Sequence, residues 1–235
     1  AVENLKDLGI TGMIIVGGEG SMRGAIDLDE MWSGDVVGIP ASIDNDVGGT
    51  DLCIGFDTAV NTALESVDRI RDTATSHERL FIIEVMGRDT GHIALSVGLA
   101  GGAEEILIPE RSYSVDEIGE RVQEGRNKGK LHYIIVLAEG AGKAFKLSDQ
   151  LEEISGMDIR VAVLGHIQRG GTPTAQDRIL GGKMGYFAVR ALVEGSSGVS
   201  VGVRSGRRNL VPLAEAVKGK SLSEENETIA ATLAI

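Results

Sequence analysis

Short apolar runs alternate with amphipathic stretches along most of this chain, and that alternation constrains the fold more than any single motif does. Residues 13–16, 36–39, 80–85, 105–108, 133–138 and 160–164 are apolar and short enough to be buried strands. Between them, residues 56–72 carry Val60, Ala63, Leu64, Val67 and Ile70 at helical spacing, with Asp57 and Thr58 placed to cap the start. Residues 91–100, 115–128 and 177–194 also predict helices. The opening residues 2–8 and the tail 213–235 predict weaker ones, and 147–156 an irregular acidic stretch. Strands linked through helices run largely parallel, in sheets covered on both faces. With 42% apolar and only 3% aromatic residues, the core must be mostly Val, Ile, Leu and Ala, which suits such sheets. Thirty-three glycines, paired at 17–18, 48–49, 101–102, 170–171 and 181–182, are expected at the seams, where backbone turns sharply or approaches a ligand.

A chain of 235 residues can bury a core as one large or two smaller domains. The single cysteine, Cys53, excludes an internal disulfide framework and suits a reducing compartment; it reads as a buried small side chain. No signal peptide or membrane span is legible. A net charge of −12 argues against nucleic acid or an anionic membrane as partner. An anionic substrate therefore needs a local arginine cluster working against the global field. The helix-like opening at Ala1 predicts an N-terminus cut from a longer chain.

Four constellations carry chemistry. In the first, Gly17-Gly18-Glu19-Gly20-Ser21 follows a strand and precedes a helix, so its backbone N–H groups and the helix dipole suit phosphate. A carboxylate there, Glu19, repels polyphosphate unless a divalent cation such as Mg²⁺ lies between them. In the second, Ser42-Ile43-Asp44-Asn45-Asp46 follows the strand at 36–39. Continued as a strand, it sends Asp44 and Asp46 to one side and Asn45 to the other. One carboxylate can then take a proton while the other supports water or a metal; a plain polar turn is the competing reading. In the third, Met86-Gly87-Arg88 ends the strand at 80–85 and aims an arginine at a pocket, or at a surface ion pair. In the fourth, Arg160 and Arg169 flank His166 and precede Gly170-Gly171, an anion site if that strand end faces a cleft. Arg79 adds a further fork. Glu139, at the end of the strand 133–138, suits a sugar hydroxyl or the cap of the next turn. His77, His92 and His132 read as structural or solvent-facing.

Together the blocks GGEGS, IDND, GFDTAVNTALESVDRIRDTATSHER, EVMGR, AGGAEEILIPE and GHIQRGGTP, in this order, closely resemble the bacterial-type 6-phosphofructokinase family, from Val2 to beyond Arg190. The resemblance implies an α/β fold of two doubly wound lobes with largely parallel sheets flanked by helices, and an active site in the cleft between them. Residues 1–55 plus 168–218 are expected to form the nucleotide lobe, and 56–167 plus 219–235 the fructose 6-phosphate lobe. It further implies that a first segment of roughly eighty residues, carrying a strand and a glycine turn of a doubly wound lobe, lies upstream of Ala1. The implied reaction moves a phosphoryl group from ATP, with Mg²⁺, to the 1-hydroxyl of fructose 6-phosphate, a step of glycolysis in the cytoplasm.

On this resemblance Asp44 is the general base, Arg88 stabilises the transferring phosphoryl, and Ser42, where the family more often has Thr, touches the same groups. Met86, Gly87, Glu139, His166 and Arg169 match sugar-phosphate contacts. Arg79 and Arg160 match arginines that reach a neighbouring subunit's 6-phosphate, which implies a homo-oligomer, a tetramer in this family. Gly18, Glu19, Gly20 and Ser21 match the nucleotide site, with Glu19 and Asp46 near the metal. Arg71, Glu104, Lys128 and Lys130 match an allosteric nucleotide site. Gly20 and Ala41 favour ATP, because the pyrophosphate-using branch often has Asp and Lys there. Glu19 and the run Arg88-Asp89-Thr90-Gly91 keep pyrophosphate as an alternative donor, beside a non-catalytic or inert relative. The MGR and GHIQRGG blocks speak against NAD or lipid kinases with similar glycine loops.

Overall fold

The computed structural model describes residues 2–75, 79–130 and 132–233. The alternation of apolar runs and helices gives two compact units, each assembled from two stretches of chain. Unit 1 comprises 1–57 and 173–221, and unit 2 comprises 58–172 and 222–235.

In unit 1, helix α1 (Val2–Asp7) leads into strand β1 (Gly12–Gly17), helix α2 (Glu19–Met31) and strand β2 (Asp35–Pro40). The second stretch adds helix α7 (Ala175–Val193), strands β7 (Val199–Arg204) and β8 (Arg207–Pro212), and helix α8 (Leu213–Ala216). The sheet order is β1-β2-β7-β8, parallel except for the β7–β8 hairpin. Strand alternation sorts β2 between two cores. Val36 packs with Met22, Ala25, Trp32 and Leu213 on one face; Val37 and Ile39 pack with Leu180, Met184, Ala188 and Val201 on the other.

Unit 2 contains most of helix α3 (Phe56–Thr75), then strand β3 (Leu80–Val85), helix α4 (His92–Gly101) and strand β4 (Glu105–Leu107). Helix α5 (Val115–Asn127), strand β5 (Tyr133–Ala138), helix α6 (Ala144–Ser155) and strand β6 (Ile159–Val163) follow, and helix α9 (Glu224–Leu233) returns at the end. Its sheet, β4-β5-β3-β6, is parallel throughout. Leu80, Ile82, Tyr133, Ile135 and Leu137 point to the face covered by α5 and α6. Among the described residues, no helix is long and apolar enough to cross a membrane.

Several expectations change. The acidic stretch 147–156 is largely helical, because Leu147 and Leu151 bury a stripe against β3 and β5 and the charged residues occupy the outer face. The hairpin β7–β8 lies outside the strands that the sequence predicts. Gly181 and Gly182 are inside α7, not at a seam. Asp57 lies within the first turn of α3, and its Oδ2 accepts from Thr174 Oγ1 at 2.5 Å. His77 falls outside the described residues.

Candidate active site

In unit 1, β1 ends in Gly17 and α2 begins at Glu19, with Gly18 in extended conformation between them. No side chain caps this helix start, so the first-turn N–H groups face outward from the glycine loop, the arrangement that favours an anion. A Cβ on Gly17 would collide with Ser21, and one on Gly18 would touch Ser42 and the Ala41 carbonyl. Glycine is what lets this loop lie against the segment after β2. The fold thus brings Gly18 and Ser42 together in one corner of unit 1.

That segment does not continue as a strand. β2 stops at Pro40, Ala41 makes one parallel bridge to Ile54, and the chain then turns. Asn45 takes the left-handed conformation (φ 55°), which Asn tolerates because its amide bonds the local backbone. Here its Oδ1 accepts from the Cys53 N–H at 2.8 Å. The strand-like alternation of Asp44 and Asp46 is therefore replaced by a turn organised on Ser42. The Ser42 hydroxyl donates to Asp46 Oδ1 (2.8 Å) and accepts from the Asp44 N–H (3.3 Å). Asp44 is 6% exposed, so its carboxylate sits in the protein rather than in solvent. Beneath the turn lies Cys53, whose thiol burial pushes up to about 11.

In unit 2, the strand ends of β3, β5 and β6 gather the second set. After Val85, the backbone passes through Gly87 (φ 140°) and Arg88 (φ 51°), and the Thr90 N–H closes the loop on the Gly87 carbonyl at 2.9 Å. Two side chains hold this loop: Gln168 Oε1 accepts from the Met86 N–H (2.9 Å), and Glu139 Oε1 accepts from the Arg88 N–H (3.0 Å). Glu139 thus serves its neighbouring loop with one oxygen. Gly140 admits no side chain, because a Cβ there would overlap the Arg88 carbonyl. His166 and Arg169 do not extend β6; they lie exposed on a 3-10 helix, Gly165–Arg169. Arg79 and Arg160 converge on one oxygen of Asp158, at 3.1 and 2.8 Å. Gln168 had no place in the sequence reading; nothing marks it except the backbone donor it serves.

The expected metal residues are engaged locally. Glu19 pairs with Arg23 at 2.6 Å on the surface and Asp46 with Ser42. Among the described residues, no group of three or more His, Cys, Asp or Glu is placed to hold a metal ion. Of the residues matched to an allosteric site, Glu104 pairs with Lys130 (3.1 Å) and accepts from the Ile134 N–H (2.6 Å). Both, with Lys128, line a cavity of about 640 Å³ in unit 2, whereas Arg71 bonds the carbonyls of Gly101 and Gly102.

The family model described as Phosphofructokinase matches residues 1–192. The ATP-dependent 6-phosphofructokinase of Natranaerobius thermophilus is 53% identical over 211 residues, covering 90% of this chain and 65% of that protein. The solved phosphofructokinase from Saccharomyces cerevisiae superposes with a TM-score of 0.85 at 35% identity, over 99% of this chain and 35% of that one. A pyrophosphate-dependent phosphofructokinase from Marinobacter aquaeolei gives 0.82 at 26% identity, over 95% and 64%. A parallel α/β chain with a glycine loop at a helix start and an acidic turn after the next strand has the makings of a phosphate-handling protein. With those matches the chain belongs to the phosphofructokinase family. It spans just under two thirds of the length of the Natranaerobius relative.

Proposed function

We propose that the protein containing this chain transfers a phosphoryl group from ATP to the 1-hydroxyl of fructose 6-phosphate. The observation that carries this reading is the corner of unit 1 where the glycine loop packs against the Ser42–Asp46 turn. It sets an anion-binding helix start beside a buried carboxylate. Phosphoryl transfer to an alcohol needs these two things: donor phosphates held in place and a base at the acceptor hydroxyl.

The roles are those that the resemblance to the family implies, and the local contacts support them. Asp44 takes the proton of the sugar hydroxyl, and Ser42 fixes it through the Asp44 N–H while holding Asp46 aside. The N–H groups of Gly18 to Ser21 hold the donor phosphates. Arg88, its backbone anchored by Glu139, carries charge that builds on the transferring group. Met86, Gly87, His166 and Arg169 hold the sugar phosphate, and Arg79 and Arg160 its 6-phosphate in a neighbouring copy. Asp158 keeps these two guanidiniums converged, and an exposed pair of this kind yields readily to a phosphate. In this reading the protein is a cytoplasmic glycolytic homo-oligomer, and the cavity lined by Glu104, Lys128 and Lys130 is its allosteric site.

Mg²⁺ fits the donor set in a limited sense. This ion keeps several waters and binds through one or two carboxylates plus substrate phosphates. Asp46 and Glu19 would hold it, each from one oxygen not engaged by Ser42 or Arg23. Bound there, it supplies neutralisation of the phosphate charge.

ATP is favoured over pyrophosphate because Ala41 offers no cation and Gly20 leaves room for a nucleotide. The test is turnover of the full-length protein with both donors in parallel. Asp44→Asn is expected to abolish turnover while fructose 6-phosphate binding stays nearly intact. Undiminished turnover removes Asp44 as base, and turnover with pyrophosphate alone reverses the donor assignment.

A further inference from the structure

Strand β3 ends between two neighbours that behave differently. Along a parallel strand, successive residues turn their N–H and C=O groups to alternate sides. The Val85 carbonyl accepts from Glu139 beyond β5, and the Glu84 carbonyl accepts from Leu164 beyond β6. The Met86 N–H therefore points to the β6 side. There the ladder has ended, because Gly165 (φ 52°) turns the chain into the 3-10 helix. The Gln168 side chain folds back from that helix and fills the vacant ladder position with Oε1, 2.9 Å from the Met86 nitrogen.

Because Met86 offers a donor, the oxygen of the amide must face it, and the amide orientation is fixed. The other end, Nε2, is buried and finds no hydrogen-bond partner among the described residues, in a side chain 1% exposed. An orphaned amide donor costs stability that an apolar side chain of the same length would not. Gln168 is therefore a poor packing choice and a good acceptor.

We propose that Gln168 is a positioning residue for the phosphoryl acceptor. It ties the Met86–Arg88 loop to the helix carrying His166 and Arg169, so that the groups assigned to sugar phosphate and transferring phosphoryl keep one geometry. The claim rests on the functional reading given above. Gln168 touches neither substrate; it acts through the Met86 backbone.

The test uses the full-length protein with Gln168→Met, which keeps the length and loses the acceptor, and Gln168→Glu, which keeps an acceptor oxygen. Expected for Gln168→Met is a rise of about tenfold or more in KM for fructose 6-phosphate, with KM for ATP unchanged. Deuterium exchange at the Met86 amide should accelerate by a similar factor, and Gln168→Glu should restore both towards wild type. A wild-type KM in Gln168→Met, or a Gln168→Glu as impaired as Gln168→Met, overturns the proposal. If Gln168→Met fails to fold, Gln168→Glu decides: slow Met86 exchange with a near-native sugar KM supports the role, and fast exchange defeats it. A wild-type protein that neither binds nor turns over fructose 6-phosphate overturns the functional reading instead, and the exchange data then decide the Gln168–Met86 bond by themselves.

Discussion

One hydroxyl organises the acidic turn of unit 1. Ser42 Oγ serves Asp46 and the Asp44 N–H at once, so removing it frees two groups rather than one. Ser42→Ala is expected to lower kcat by on the order of ten- to a hundredfold, whereas Ser42→Thr, which keeps the hydroxyl, should stay near wild type. Steady-state kinetics of both variants check this. Just below, the Cys53 thiol is held at about 11 against 9.0 for the free group, mainly by burial. The neutral thiol therefore favours the folded state. That contribution is whole below pH 9.0 and is lost as pH rises through about 11, an effect on the order of 2 kcal/mol. Urea midpoints measured across this range should fall, and the fall should shrink in Cys53→Ala. At pH 7 the native thiol should resist alkylation, becoming reactive only on unfolding.

At the scale of elements, Thr174 caps α7 by accepting from the Asp177 N–H at 3.2 Å, and it also donates to Asp57. Thr174→Ala should cost about 1–2 kcal/mol in urea unfolding, and Thr174→Ser much less. The strands at 36–39, 80–85 and 133–138 were legible in sequence because apolar β-branched runs flanked by glycine admit few other structures. The hairpin β7–β8 was not. Its signal, Val199, Val201 and Val203 alternating into Ser205-Gly206, is short, and its second strand opens with Arg207 and Arg208, which have no apolar pattern. Helix α6 was obscured because its outer face is as acidic as a loop. The residues of the acidic turn were legible, but their conformation was not: period-two alternation holds only while the chain is extended, and extension ends at Ala41, before the turn at Ile43 and Asp44. Gln168 was invisible because its role is defined by a backbone donor that loses its ladder partner, which no side-chain pattern records.

Across this chain, a net charge of −12 sets an overall bias against polyanions. The protein should pass through a heparin column unretained at about 0.15 M salt, where the Debye length is near 8 Å and only local arginine groups can hold an anion. Retention would overturn this expectation. The division of the chain between the two units has a consequence for its synthesis. All four strands of the unit 2 sheet lie between residues 80 and 163, whereas β2 must wait for β7, some 160 residues later. At ordinary ribosomal speeds that interval lasts on the order of ten seconds. During it the nascent chain exposes the β2 edge and the apolar face of Val37 and Ile39, whose partners Leu180, Met184, Ala188 and Val201 are still to be made, while the strands of the unit 2 sheet are all completed. Chaperone dependence and misfolding on the ribosome should therefore concentrate in unit 1, whose sheet closes last.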